Sequence, residues 1–312
     1  MAWDFAAELG RYGPAFTARG LAPPLAEARA YCARVTATHY ENFSVASILL
    51  PRRLLPHVRA VYAYCRWADD LADETAGGQV ALDLLGWWRC ELNACYDGAP
   101  VHPVHPVLIA LADTVRRFAI PRSLFSNLIA AFEQDQVVRQ YDTFEQLLGY
   151  CKNSANPVGR IVLHLFGCTD DEPMSLSDDV CTGLQLANFW QDVSRDLAIG
   201  RIYLPAEDRR RFGVNEADLS RGSSQSVADL IRYEVDRTRH FFDRGRSLVD
   251  LVPREAKLPI ALFGLGGEAI LAAIAKQGYD VLSQRPVVSK RKKAELVLRA
   301  IWQRVRPRRA VR

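Results

Sequence analysis

Ala63-Tyr64-Cys65-Arg66-Trp67-Ala68-Asp69-Asp70-Leu71-Ala72-Asp73-Glu74 sets four carboxylates within six residues, directly after an apolar and aromatic run. On a helix, residues four apart face one another. Asp69 with Asp73 and Asp70 with Glu74 are therefore like-charge pairs, each destabilising by roughly 0.2–0.5 kcal/mol. Two arrangements relieve this: a solvated face with Arg66 as intrahelical partner of Asp69 and Asp70, or a bound cation. An isolated cluster favours the first, and a second cluster shifts the balance to the cation.

The second cluster is Leu184-Gln185-Leu186-Ala187-Asn188-Phe189-Trp190-Gln191-Asp192-Val193-Ser194-Arg195-Asp196. Asn188, Asp192 and Asp196 fall at successive four-residue steps, a row of oxygen ligands on one helical face that Gln185 joins. The apolar neighbours Leu184, Leu186, Phe189 and Trp190 predict that the row looks inward. Inward carboxylates demand a counter-ion. Hard oxygen ligands suit Mg2+, which keeps several waters and is shared between one or two carboxylates and substrate phosphates. Two facing acid helices would clamp a diphosphate through Mg2+ and make it a leaving group, generating a carbocation at an allylic carbon. Such a cation needs an apolar cavity with aromatic faces and little water. Phe43, Tyr62, Phe132, Tyr150, Phe166 and Phe189 are candidates, although each taken singly reads as an ordinary core aromatic.

The rest of the chain sets the context. With 312 residues, 49% of them hydrophobic and 24% charged, it is a globular chain long enough for a large core. Seven scattered cysteines with no C-x-x-C pair read as buried thiols of a reducing compartment. The start, MAWDFAAELGRYG, has no basic and apolar leader, so a cytoplasmic protein is expected. The formal net charge of +4 is uneven: residues 285–312 hold eleven Lys or Arg against Glu295 alone. That basic stretch carries Leu, Val, Ile and Trp302 between its cations. Without a nucleic-acid module no nucleic-acid partner is expected; an anionic membrane surface and a plain solvated tail are the readings that stay open.

Apolar spacing of three and four predicts helices over Leu54–Asp73, Ala81–Tyr96, Val107–Phe118, Arg122–Arg139, Phe144–Phe166, Leu176–Leu197, Ser226–Leu251 and Pro259–Leu282. Strand-like alternation is scarce, no linker divides the chain, and the expected fold class is all-α. One domain over residues 25–295 is expected, with residues 1–24 as an irregular lead-in and 296–312 as a basic tail. HPVHP at His102–Pro106 reads as a loop, because its prolines prevent a helical pair of ligands. Phe263-Gly264-Leu265-Gly266-Gly267-Glu268 lacks the strand that a dinucleotide loop requires. Leu258 onward is apolar enough to span a bilayer, yet Pro259, Glu268 and its glycines favour a buried or cavity-lining helix.

Five segments carry a family likeness: FSVASILLP (Phe43–Pro51), YCRWADDLAD (Tyr64–Asp73), YCKNSANPVGR (Tyr150–Arg160), LQLANFWQDVSRDLAIGRIYLP (Leu184–Pro205) and YDVLSQRPVVSK (Tyr279–Lys290). In this order they resemble the squalene/phytoene synthases, over roughly residues 31–295. The resemblance implies an all-α, single-domain isoprenoid synthase fold with a central cavity between two aspartate-rich helices. It implies that Asp69, Asp73, Asp192 and Asp196 are catalytic Mg2+ ligands, assisted by Asn188. It also implies that Arg66, Arg201, Tyr203, Tyr279 and Arg285 hold the diphosphate or close over it, with His39, Phe43, Tyr62, Tyr150 and Gln185 at the substrate.

The departures bear on the reaction. The family's N-x-x-R-D-x-x-E-D has Gln191 for its Arg and Arg195 for its Glu, so a cation has moved by one helical turn. H-S-K-S-F has become His39-Tyr40-Glu41-Asn42-Phe43, losing the Lys that would help anchor a second diphosphate. Y-C-x-x-V-A-G-x-V-G has gained Lys152, Asn153 and Asn156, read either as polar residues at a Pro-kinked helix or as groups that hold a water. Together these look most like the hydroxysqualene synthase branch of bacterial hopanoid pathways, a lyase-type activity. That resemblance implies presqualene diphosphate as substrate, ionised with Mg2+ and captured by water, and other squalene-pathway enzymes as partners. Head-to-head condensation of two prenyl diphosphates stays open, as does NADPH-dependent reduction to squalene. A non-catalytic scaffold relative, the alternative of another class, should have lost aspartates that are all present here.

Overall fold

A computed structural model describes residues 3–18, 20, 22–38, 50–97 and 103–305, all within helices, turns and loops apart from one isolated bridge. His39, Phe43, the segment FSVASILLP up to Leu49, His102 and the last seven residues lie outside that description. The chain divides into two compact units: residues 1–138 with 160–169, and residues 139–159 with 170–312.

The first unit holds α1 (Phe5–Tyr12), α2 (Pro14–Thr17), α3 (Leu25–Thr38), α4 (Leu55–Asp73), α5 (Gly78–Ala94), α6 (Pro106–Phe118) and α7 (Arg122–Val137). Central α4 packs on α3, α5, α6 and α7. Ala60, Ala63, Tyr64, Trp67, Ala68 and Leu71 are fully buried, so most of this helix is apolar, and apart from Arg59 its charge is gathered in the last turns. It stops at Glu74, before Gly77 and Gly78, both with positive φ. The expected irregular lead-in is corrected: Asp4 accepts from the Ala7 amide as N-cap, and α1 runs on to Gly13-Pro14. His105 is not merely a loop residue. It caps α6 through Nδ1, which accepts from Val107 N, and its ring sits edge-on among Tyr12, Tyr31, Trp67, Trp87 and Trp88. Its buried Nε2 meets no polar partner among the described residues. Burial holds the imidazole far below its usual pKa, hence neutral.

The second unit holds α8 (Phe144–Ser154), the start of α9 (Asn156–Leu165), α10 (Asp171–Ala198), α11 (Ala206–Arg211), α12 (Glu216–Arg221), α13 (Gln225–Gly245), α14 (Leu248–Leu251), α15 (Lys257–Lys276) and α16 (Lys290–Val305). Its axis is α10, packed by α8, α13, α14 and α15. The single helix expected over Phe144–Phe166 is two, broken at Ala155, where Pro157 cannot continue the ladder of α8. The helix expected over Ser226–Leu251 likewise breaks after Gly245. Helix α15 is long and apolar enough to cross a membrane by composition, but Leu258, Ile260, Leu262, Leu271 and Ile274 are buried within the unit. The Gly-rich run inside it has a packing cause. A Cβ at Gly267 would collide with the Phe242 ring, and one at Gly183 on α10 would come within 3.1 Å of the same ring. The residues expected to form a basic tail are in part α16.

Candidate active site

The last turns of α4 sort the four carboxylates of the opening stretch by burial. Asp70 is fully buried; Arg66 pairs with its Oδ1, and Trp3 Nε1 donates to its Oδ2 at 2.9 Å. Trp3 of the lead-in thus reaches the first acid cluster. Arg66 also reaches Asp69 Oδ2 at 3.1 Å. Asp69 keeps part of its side chain in solvent, and Asp73 and Glu74 are exposed. Burial pushes the Asp69 carboxyl up to about 6; Arg66 opposes this, and Asp73, Asp70 and the buried Asp135 of α7 add to it. This is the charge crowding that the spacing foretold, and it is what a divalent cation would relieve. Tyr62 is half-buried and its hydroxyl is raised by burial. Phe132 is partly buried against the same core, and Phe166 is buried.

In the second unit, α10 presents Gln185, Asn188, Asp192 and Asp196 on one face, while Leu186, Phe189 and Trp190 are buried. Asn188 is exposed, and the two aspartates are part-exposed, so the row reaches solvent rather than being sealed. Asp192 meets a protein cation on both oxygens: Arg285 donates from Nε to Oδ1 at 2.5 Å and from Nη2 to Oδ2 at 2.9 Å. Arg195 lies 3.6 Å from the same Oδ1. The buried Gln191 accepts from Arg285 Nη2 at 3.1 Å and donates to the Pro286 carbonyl at 2.6 Å.

Beside this row is a cluster of rings. The Ile202 amide donates to Arg139 O and the Ala206 amide to Tyr141 O, which lays residues 201–206 along 139–142. Tyr203 therefore stacks on Phe189 at 3.9 Å between centroids, with Tyr141 and Tyr150 each at 6.0 Å from it. Arg201 is tied to the end of α10 through its amide, which donates to Asp196 O. Tyr279 holds a left-handed φ of 65°, strained for a bulky residue, with the Arg232 guanidinium 4.9 Å over its ring. Asn156 is buried and accepts from Thr182 Oγ1 at 3.0 Å, whereas Asn153 is part-exposed. The buried Ser154 Oγ between them has no partner.

Within each unit the site residues read from sequence are thus grouped: Tyr62, Arg66, Asp69 and Asp73 in the first, the remaining described ones in the second. Sequence reading missed Trp3, Asp135, Tyr141, Ser154 and the pairing of Gln191 with Arg285. Asp135 had a signal, an acid on the apolar face of α7. The Gln191–Arg285 contact spans 94 residues and has none.

Known proteins resemble this chain over most of its length. The squalene/phytoene synthase family pattern matches residues 36–292. The crystal structure of squalene synthase HpnC from Alicyclobacillus acidocaldarius is 46% identical, with a TM-score of 0.78 over 82% of this chain and 96% of that one. A dehydrosqualene synthase solved in complex with a ligand is 26% identical, with a TM-score of 0.81 over 89% of this chain and 97% of that one. The phytoene synthase of Arthrospira platensis is 30% identical over 277 residues, 84% of this chain and 88% of that protein. The fold is the all-α isoprenoid synthase fold, and the chain belongs to the squalene/phytoene synthase family.

Proposed function

We propose that this chain is a Mg2+-dependent synthase acting on a prenyl diphosphate in squalene biosynthesis. Its particular step converts presqualene diphosphate and water to hydroxysqualene and diphosphate, on a route to hopanoids. The coarser part rests on family membership and on relatives named for squalene, dehydrosqualene and phytoene synthesis. The observation that carries the finer part is Gln191, which stands where the family has Arg and is spent on seating one arginine.

In this reading residues 25–295 act as one domain, and the acid ends of α4 and α10 both serve the Mg2+-dependent step. The donor set fits Mg2+: Asp69, Asp73, Asp192 and Asp196, with Asn188, are all oxygen ligands that reach solvent. Among the described residues no three acidic, His or Cys side chains gather at one point. Mg2+ usually takes several of its ligands from water and substrate phosphate. When bound, Mg2+ neutralises diphosphate oxygens and makes the group leave. Arg66, Arg201 and Arg285 steady the departing anion. The carbon–oxygen bond breaks, the faces of Tyr150, Phe189 and Tyr203 stabilise the cyclopropylcarbinyl cation as it rearranges, and a water oxygen closes on it. Ser154 Oγ, with Asn153 and Asn156 at the α8–α9 break, holds that water, whose proton leaves with the diphosphate. NADPH has no step here. The basic α16 and the residues after it rest on an anionic membrane at the cytoplasmic face, near other squalene-pathway enzymes.

A second reading, head-to-head condensation, is favoured by the phytoene synthase relatives. One experiment separates the two. Pure protein with Mg2+ receives farnesyl diphosphate alone or presqualene diphosphate, with and without NADPH, in 18O-water, and products are identified by mass. Hydroxysqualene carrying 18O, formed only from presqualene diphosphate, is expected. Efficient conversion of farnesyl diphosphate alone would replace this reading with condensation.

A further inference from the structure

Asp192 is a metal ligand in the reading above, yet both of its carboxylate oxygens already hold a protein cation. Arg285 forks onto both oxygens, the bidentate geometry that makes guanidinium–carboxylate pairs strong and directional. The arginine arrives on a short loop that is itself fixed. Gln277 donates from Nε2 to the carbonyls of Asp280 and Gln284, and Asp280 Oδ1 accepts the Leu282 and Ser283 amides. The last anchor is Gln191, on α10 next to Asp192. Its amide has both halves engaged: the nitrogen on Pro286 O, the oxygen on Arg285 Nη2. Only a side chain with one donor and one acceptor does both. An arginine here has no acceptor and would repel Arg285. Glutamate would accept from Arg285 but leave Pro286 O without its donor.

We propose that Gln191 is a positioning residue that seats Arg285 on Asp192 as a built-in counter-ion, which Mg2+ displaces only when diphosphate arrives to receive the arginine. The proposal rests on the reading of Asp192 as a metal ligand. Its physical basis is exchange of partners. Mg2+ alone would have to strip a bidentate cation from a part-buried carboxylate and leave the guanidinium without an anion. A diphosphate supplies that anion, so metal and diphosphate enter together and neither is held well alone. The departure from the family at residue 191 then has a purpose. It moves the second cation out to Arg195, 3.6 Å from Asp192, and leaves Arg285 to cover both carboxylate oxygens and later hold the leaving group.

The test is binding, read without turnover. Full-length protein stripped of metal is titrated calorimetrically with Mg2+ alone, and with Mg2+ in the presence of inorganic diphosphate. Wild type is expected to bind Mg2+ at least about tenfold more weakly alone than with diphosphate. Arg285→Gln is expected to bind Mg2+ alone about tenfold more tightly than wild type while losing diphosphate affinity. Gln191→Met should reproduce the gain in Mg2+ affinity with Arg285 still present; thermal melts verify its fold, and Gln191→Leu provides a second uncharged variant. Unchanged Mg2+ affinity in Arg285→Gln, or in both folded Gln191 variants, overturns the seating role. The underlying metal reading fails separately, if wild type with diphosphate shows no Mg2+ binding or if Asp192→Asn leaves that binding intact.

Discussion

Asp69 and Asp70 are adjacent, chemically identical and physically opposite. Asp70 is fully buried and holds Arg66 and Trp3; Asp69 reaches solvent and is crowded by carboxylates. Removing one member of a buried pair leaves an uncompensated charge, a loss of about 3 kcal/mol or more. Arg66, however, is part-exposed and keeps Asp69, so Asp70→Asn is expected to lower unfolding free energy by about 1.5–3 kcal/mol in metal-free urea denaturation, because Arg66 and Trp3 lose a buried charged acceptor. Asp69→Asn should leave stability unchanged or raise it, since it removes repulsion. Equal destabilisation by the two substitutions would contradict this division of labour. Sequence spacing identified the crowding but could not say which carboxylate is structural. That depends on Trp3, 67 residues away.

Among the elements, the long amphipathic helices were legible because their apolar faces recur over many turns. Expected Val107–Phe118 is Pro106–Phe118, and expected Leu176–Leu197 is the middle of Asp171–Ala198. What was missed has short-range causes: the Asp4 cap of α1, the break at Ala155 before Asn156-Pro157, and the six-residue helices α11 and α12, which are too short and charged to show periodicity. Helix α11 is pinned to α13 by a buried acid pair. Arg237 bonds Asp208 at 2.7 Å and Glu234 at 2.6 Å, and burial pushes the Glu234 carboxyl up to about 8, with Arg237 opposing and Asp208 adding to the shift. The folded state thus holds this proton more tightly than the unfolded state, whose Glu titrates near 4.5. The contribution is fully present below that value and is lost as pH rises through about 8. Thermal melts of wild type between pH 4.5 and 8 should show stability falling with pH, and Glu234→Gln should flatten that slope. An identical slope in the variant would contradict the assignment.

At the scale of the molecule, the family and the all-α class were readable, because each is carried by motifs in fixed order. The aromatic cluster was half readable: Tyr150, Phe189 and Tyr203 stand in those motifs, whereas Tyr141 joins only through the pairing of residues 139–142 with 201–206. Charge is also a property of this scale. Residues 305–312 carry four arginines and no acid. At roughly 1 kcal/mol per cation near an anionic surface, deleting them should weaken co-sedimentation with anionic liposomes at least about tenfold while turnover on detergent-dispersed substrate persists. Undiminished liposome binding would remove the membrane from the account. The central claim, proposed above, is that the acid ends of α4 and α10 serve the same Mg2+-dependent step, and a double-mutant cycle tests it directly. Turnover of presqualene diphosphate is measured for Asp69→Asn, Asp192→Asn and the double variant. Each single change is expected to reduce kcat/KM at least about a hundredfold, and the double change little further, as for residues that act as a unit. Wild-type turnover by either single variant, or independent losses that multiply in the double, would contradict it.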